Sequence, residues 1–314
     1  MSWIQNKRVV ITGPTSGIGR EIAFRLVLLG ANVVLACRNP QVGEQVAADI
    51  NAKTPRGCAV VMKVDMADQR SIRAFASHYR DKFGALDVLV NNAGVLLPRR
   101  QLSIDDIELT FATNVLGYYL TTAELLESLQ AGAPARIVNV ASTFASDVDF
   151  EDLQFGRRPY DGMAAYAQSK ACDRMLTWAL ARRLIGASIT VNAMAPGLVM
   201  GTELYRYLTP QAKRTLEQLG SRNVSTGADT AVWLASSLDL NGITNRFFEQ
   251  RQEIPCQFRH QNNEERLWRA CEQLTLSAPT SSPTTAARAD GHSKARRQQQ
   301  ADNHTPLPQR SFPA

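Results

Sequence analysis

Paired cysteines are missing from this sequence. Its five cysteines (Cys37, Cys58, Cys172, Cys256, Cys271) are odd in number and scattered, with no Cys-x-x-Cys pair. The four histidines (His78, His260, His292, His304) show no ligand spacing either. Neither a disulfide framework nor a structural metal is indicated, and no metal site is expected. Reduced thiols of this kind suit a cytoplasmic protein. Long apolar runs are missing too. The opening Met1-Ser-Trp-Ile-Gln-Asn-Lys7 has no apolar h-region, and no segment reads as a membrane span, so neither export nor embedding is expected. No Lys/Arg run is interleaved with aromatics, so nucleic acid is not expected as a partner despite a net charge of +6. Much of that excess is local: in residues 277–314 five basic side chains (Arg288, Lys294, Arg296, Arg297, Arg310) face two acidic ones (Asp290, Asp302), which accounts for three of the six charges. The same stretch is rich in Ser, Thr, Pro, Ala, Gln and Arg and lacks apolar periodicity. It reads as a low-complexity, disordered tail behind a domain of residues 1–276.

What is present is an alternation of short β-branched runs and helical stretches. Arg8–Thr12, Asn32–Cys37, Ala59–Val64, Leu86–Val90, Ala135–Val140 and Ser188–Asn192 read as strands. Between them the pattern predicts helices over Arg20–Leu29, Gln41–Asn51, Gln69–Phe83 and a long one over Asp105–Leu129, with another around Tyr166. The strand runs are apolar on both faces, as in a parallel sheet covered by helices on each side. Repeated strand–helix–strand order predicts an α/β fold: a doubly wound parallel sheet of the Rossmann type, in one domain.

The first strand runs into Thr12-Gly-Pro-Thr-Ser-Gly17-Ile-Gly19, where a helix begins. Gly13 permits a tight turn, Gly17 lets backbone approach a pyrophosphate, and Gly19 lets the helix pack close to the strand; the helix N-terminus offers N–H donors. Thr15, Ser16 and Ile18 complete this dinucleotide loop. At the end of the second strand, Cys37-Arg38-Asn39 holds no carboxylate to accept bonds from a ribose 2′-OH. Arg38 instead offers a planar fork for a phosphate, which favours NADP(H); a solvated Arg38 in an enzyme using NAD(H) is the alternative. In Ala165-Tyr-Ala-Gln-Ser-Lys170, Tyr166 and Lys170 share one helix face. An ammonium beside a phenol lowers its pKa and makes it a proton donor or acceptor near neutral pH.

With its Gly-x-x-x-Gly-x-Gly spacing, the chain resembles the short-chain dehydrogenase/reductase family. The likeness extends to Asn91-Asn-Ala-Gly94, to Asp65 in Lys63-Val-Asp-Met66, to Pro196-Gly197, and to the Tyr166–Lys170 pair. The resemblance implies cofactor contacts at Asp65, Met66, Asn92, Ala93, Gly94, Pro196, Gly197, Val199 and Thr202, besides Tyr166 and Lys170. It implies four catalytic residues. Tyr166 would be the general acid or base, and Lys170 would lower its pKa and hold the nicotinamide ribose. Ser142 would hydrogen-bond the substrate oxygen, and Asn114 would hold a water linking Lys170 to solvent. Within the family the chain is similar to the retinol dehydrogenase-like group through Ala36-Cys-Arg38, Asn114-Val-Leu-Gly-Tyr-Tyr119, Ala135–Val140, Arg266-Leu-Trp268 and Asp149-Phe-Glu-Asp-Leu-Gln154. It departs from that group at Ala141, Ala195 and Tyr118, and in lacking an N-terminal membrane helix.

Residues 143–165 and 198–223 are expected to close over the nicotinamide. The first brings Phe144, Phe150, Phe155 and Tyr160; the second brings Leu198, Val199, Met200, Leu204, Tyr205, Tyr207 and Leu208. Apolar walls with a polar rim suit a lipophilic carbonyl or alcohol. The expected activity is therefore hydride transfer between NADP(H) and such a small-molecule substrate. The same residues also admit a non-catalytic nucleotide-binding interaction protein, or a double-bond reductase on the same scaffold. The resemblance implies a homodimer paired through the helices carrying Asn114 and Tyr166.

Overall fold

Three β-branched residues in a row, Val9, Val10 and Ile11, hold Arg8–Thr12 extended as β1. Val9 and Ile11 point into one hydrophobic layer and Val10 into the other, the two-residue period of a strand covered on both faces. The structure is a computed structural model and describes residues 3–276, apart from Arg56 and Leu219. The tail expected over residues 277–314 lies outside the described residues.

The other strands are β2 (Asn32–Cys37), β3 (Cys58–Lys63), β4 (Val88–Asn91), β5 (Ala135–Val140), β6 (Ile189–Ala195), β7 (Arg246–Glu249) and β8 (Gln252–Glu253). They form one sheet in the order β3-β2-β1-β4-β5-β6-β7-β8. All pairings are parallel except the last, between β7 and β8. The strand order reverses between β1 and β4, so a crevice opens at their C-terminal ends, where doubly wound sheets bind ligands. The strands β7 and β8 are additions to the sequence reading, which carried the sheet only to Asn192.

One face is covered by α1 (Gly17–Leu28), α2 (Pro40–Asn51) and α9 (Val224–Ser236), the last following the surface helix α8 (Pro210–Gln218), through Ile22, Leu26, Val46, Ile50, Ala231 and Leu234. The other is covered by α3 (Gln69–Phe83), α5 (Gly117–Glu124), α6 (Leu126–Ala131) and α7 (Gly162–Arg183). Helix starts follow capping chemistry: the side chains of Asn39, Asp68, Asp161 and Asn223 accept from Val42 N, Ser71 N, Ala164 N and Thr226 N.

The single helix predicted over Asp105–Leu129 is not continuous. Glu108 caps α4 (Leu109–Phe111) by accepting from Thr110 N at 2.9 Å and Phe111 N at 2.7 Å, so the helix begins there. A π-helical turn follows over Ala112–Leu116, and Leu125 separates α5 from α6. The wide turn carries Asn114, in keeping with the tendency of π turns to sit at functional sites.

Helix α7 is buried at every residue from Ala165 to Ala181. The sheet covers one side, and α10 (Gln261–Leu276) covers much of the other, with Leu267 and Cys271 buried beside Cys172, Met175 and Leu176. Arg182 and Arg183 pair with Glu264 and Glu265, and Trp268 meets Tyr119 edge-on with ring centroids 4.9 Å apart. Thus α10 of the same chain occupies part of the α5–α7 surface through which the resemblance implies pairing. Leu267 is fully buried, so Leu267→Ala should cost about 2–5 kcal/mol in urea unfolding, the usual range for emptying such a site.

Candidate functional site

The loop between β1 and α1 is built around three glycines. Gly13 and Gly17 have φ of +65° and +51°, a region that other residues enter only under strain. A Cβ on Gly19 would lie 2.3 Å from the Gly13 carbonyl oxygen and 2.4 Å from Asn92 Nδ2. Gly19 thus permits the loop after β1 to fold onto the helix, where the sequence reading set it against the strand. Asn92 ties this loop to the one after β4: its amide donates to Thr12 O at 2.8 Å and Gly13 O at 3.1 Å. Thr12 Oγ1 accepts from Asn92 N and Ala93 N at 2.9 and 3.0 Å. Ser16 makes no side-chain cap to α1, so the first N–H groups of that helix have no such partner. Bare backbone, a helix N-terminus and no side chain in the way suit a pyrophosphate.

This loop forms one wall of a cleft of about 450 Å³. Of the residues singled out from the sequence, Gly13, Thr15, Ser16, Gly17, Ile18, Gly19, Arg38, Asp65, Met66, Asn92, Ala93, Gly94, Tyr166, Lys170, Pro196 and Thr202 line it. Arg38 is exposed and forms no ion pair among the described residues. Two predicted contacts are placed otherwise. Val199 is buried, and a Cβ on Gly227 would lie 2.5 Å from its Cγ2, so its side chain packs beneath the loop. Gly197, at φ +76°, gives room to Arg222, which donates to Pro196 O at 3.3 Å and pairs with Glu249 at 3.0 Å. Both shape the loop from below and leave the cleft wall to Thr202, Leu204 and Tyr207.

At the other end of the cleft α7 presents Tyr166 and Lys170, both buried. Ser142, two residues past β5, lies within hydrogen-bonding reach of the Tyr166 phenol, and its Oγ accepts from Phe144 N at 3.0 Å. Phe144 stacks on Tyr166 with centroids 6.5 Å apart. Lys170 does not touch the phenol oxygen. Its Nζ donates to Asp173 Oδ2 at 2.8 Å and to Val140 O at 3.0 Å, and lies 5.8 Å from the Tyr166 ring centre. The expected lowering of the phenol pKa is therefore not seen. Burial pushes it above the ordinary tyrosine range, Asp173 adds to that, and only the Ser142 hydrogen bond opposes it. Burial also works against the Lys170 charge, but Asp173 and Tyr118 outweigh it and leave its pKa above the usual lysine value. Asp173 is pushed up to about 6 by burial, against the pull of Lys170 and Arg174.

Asn114 is fully buried in the π turn. Its Nδ2 donates to Val95 O at 3.1 Å and Ser169 Oγ at 2.9 Å, and its Oδ1 accepts from Val95 N at 2.8 Å. With both amide hydrogens committed, the side chain fixes the loop after β4 and has no donor left for a water. A Cβ on Gly94 would lie 3.5 Å from Asn114 Oδ1 and 3.9 Å from Lys170 Nζ, so the two meet around that glycine.

Asp173 and Arg174 escaped the sequence reading. Asp173 shares a helix face with Lys170 three residues earlier, a spacing that marks an ion pair in retrospect. Arg174 donates to the Ser142 carbonyl oxygen and lies 4.1 Å over the Phe247 ring, a contact that only the fold creates. The aromatics of residues 143–165 also divide differently than expected. Only Phe144 stands at the site: Phe150 packs toward Leu267, while Phe155 and Tyr160 meet each other at 5.5 Å. The segment after β4 takes their place, with Val95, Leu97, Gln101 and, further on, Leu109 and Thr113 lining the cleft.

Residues 7–213 match the family model for short chain dehydrogenases. Mouse retinol dehydrogenase 12 is 37% identical over 280 residues, covering 87% of this chain and 88% of its own. Human retinol dehydrogenase 13 is 35% identical over 289 residues, covering 88% and 87%. Among solved structures, a double variant of a Serratia marcescens short-chain dehydrogenase/reductase superposes with a TM-score of 0.64 at 29% identity, covering 78% of this chain and 96% of its own.

The Asp173 carboxylate opposes a negative charge on the phenol and also holds the Lys170 ammonium. Asp173→Asn removes both effects, and both changes favour the phenolate. Absorbance titration of tyrosine ionisation, with Tyr166→Phe backgrounds to isolate this residue, should therefore show Tyr166 ionising at lower pH in Asp173→Asn.

Proposed function

Because the chain belongs to the short-chain dehydrogenase family, an NAD(P)-dependent class acting on alcohol and carbonyl groups, we propose that it transfers hydride between NADP(H) and a lipophilic carbonyl/alcohol pair. The observation that carries the reading is that Tyr166 and Lys170 line one end of a cleft whose other end is the glycine loop, with Ser142 beside the phenol. The dinucleotide, when bound, supplies or takes up the hydride. Gly13, Gly17 and Gly19 leave room for its pyrophosphate, the α1 N-terminus faces that charge, and Thr202 closes the loop from above.

Arg38 supports the choice of NADP(H). It stands exposed in the cleft after β2, in no ion pair among the described residues, ready to grip a ribose phosphate. At the reacting end, the Ser142 and Tyr166 hydroxyl groups are neighbours, and a substrate oxygen gaining charge there would accept a hydrogen bond from each. A phenol held above its ordinary pKa keeps its proton at neutral pH, which favours Tyr166 as the general acid of carbonyl reduction. The cleft carries apolar side chains from Val95, Leu97, Leu109, Leu204 and Tyr207 among polar ones from Gln101, Thr113, Glu203 and Arg206, and Phe144 is half-exposed beside Tyr166. That lining, with relatives named as retinol dehydrogenases, supports a lipophilic substrate. Five cysteines in no disulfide suit a reducing compartment such as the cytoplasm. No helix among the described residues is long and apolar enough to cross a membrane.

In an assay of nicotinamide absorbance against aldehydes, retinoids and steroids, Tyr166→Phe should lower kcat/KM by about 10²–10⁴-fold, the share typical of a general acid, while NADPH binding stays nearly unchanged. Turnover at the parent rate would overturn the role of Tyr166. In the parent, kcat/KM with NADPH should exceed that with NADH, and Arg38→Ala should erase the difference. A preference for NADH would overturn the reading of Arg38.

A further inference from the structure

The loop after β5 carries Ser142 and is open to solvent at Thr143 and Phe144. Its start is pinned by Ala141 N, which donates to Met194 O at 2.8 Å, and its continuation by Ser146 N, which donates to Ala167 O at 3.3 Å. Between these points, among the described residues, the backbone of residues 142–145 makes one hydrogen bond to another element: Arg174 Nη2 of α7 donates to Ser142 O. A solvent-exposed loop with so few bonds opens easily unless that brace holds. The brace itself is costly. Arg174 is 4% exposed and forms no ion pair among the described residues, while the adjacent Asp173 is taken up by Lys170. Its Nε has no hydrogen-bond partner, and burial works against its charge. Burying a cation without a counter-charge is unfavourable. Partial compensation comes from the Phe247 and Phe258 rings, 4.1 and 5.2 Å away, and from Cys256 Sγ, 3.9 Å from Nη1.

A side chain that only filled the space between Phe247 and Phe258 would need no charge there, since well-packed apolar groups serve as well or better. The guanidinium is placed where it grips a carbonyl instead. One turn earlier on the same helix face, Lys170 donates to Val140 O at 3.0 Å, so α7 holds the chain at residues 140 and 142 from one side. Ser142 is then fixed at both of its oxygens. Its carbonyl accepts from Arg174, its Oγ accepts from Phe144 N at 3.0 Å, and its hydroxyl stays beside the Tyr166 phenol. We infer, resting on the hydride transfer proposed above, that Arg174 is a positioning residue: by fixing the Ser142 carbonyl it sets where the Ser142 hydroxyl meets the substrate oxygen. A donor aimed at developing charge contributes only where it is held in place, and a shift of about 1 Å can cost about 10²-fold in rate.

The test is a double-mutant cycle on the full chain, with NADPH and an aldehyde that the parent reduces. Arg174→Met keeps length and apolar contact with the two rings but loses the donor. It should lower kcat by about 10²-fold while KM and the Kd of NADPH stay within about twofold, the pattern of an interaction realised in the transition state. In a Ser142→Ala background the same substitution should lower kcat by less than about twofold, because the hydroxyl it positions is already gone. An unchanged kcat in Arg174→Met, a loss carried by KM or by NADPH binding, or losses that multiply across the cycle would each overturn the inference. Should Arg174→Met not fold, the cycle is run with Arg174→Lys, whose ammonium does not reproduce a planar fork held between two rings; an unchanged kcat there overturns it equally. A parent that reduces no carbonyl compound with NADPH would sink the proposed hydride transfer and this role with it, whereas an active parent indifferent to Arg174 sinks this role alone.

Discussion

The buried ion pair between Lys170 and Asp173 is the constraint on which the site depends. Both side chains belong to a helix with no exposed residue from Ala165 to Ala181, so neither charge has water to turn to. Charges in that position are tolerated only when paired and hydrogen-bonded, and removing one partner strands the other. The pairing sets where the ammonium sits, and the ammonium in turn anchors to Val140 at the end of β5. It leaves Tyr166 buried beside a carboxylate whose field opposes ionisation. Packing thus raises the pKa of the phenol through burial and through Asp173.

That packing is the work of α10. Without it, α7 would face solvent along the side that now meets Leu267 and Cys271, and Asp173 would be partly hydrated. The same helix sets Trp268 edge-on against Tyr119 and covers part of the α5–α7 face. A single C-terminal element thus links stability, the electrostatics of the reacting end, and the shape of the α5–α7 face.

The two ends of the cleft are built by different means. The dinucleotide end is mostly backbone, kept clear by glycines and fixed by the bonds of Asn92 and Thr12 across the switch point between β1 and β4. The reacting end is made of side chains held by other side chains. Asn114 fixes Val95, and Arg174 braces the carbonyl of Ser142. Substitutions at the first end act through space and strain, and those at the second act through charge.

The sequence by itself determined the doubly wound sheet, because β-branched runs alternating with helical stretches admit few other arrangements. It also determined the glycine loop and the Tyr166–Lys170 face, since both follow from spacing within one local element. It marked Arg38 for the same reason, as a residue at a strand end. What spans elements could not be read there. The packing of Val199 away from the cleft and the commitment of Asn114 to Val95 both rest on contacts between distant segments. The pairing of Lys170 with Asp173 looks local, yet its strength does not come from three-residue spacing, which on an exposed helix would join two solvated charges weakly. Tertiary structure decided it, by removing water from both sides of α7 and leaving each charge no other partner.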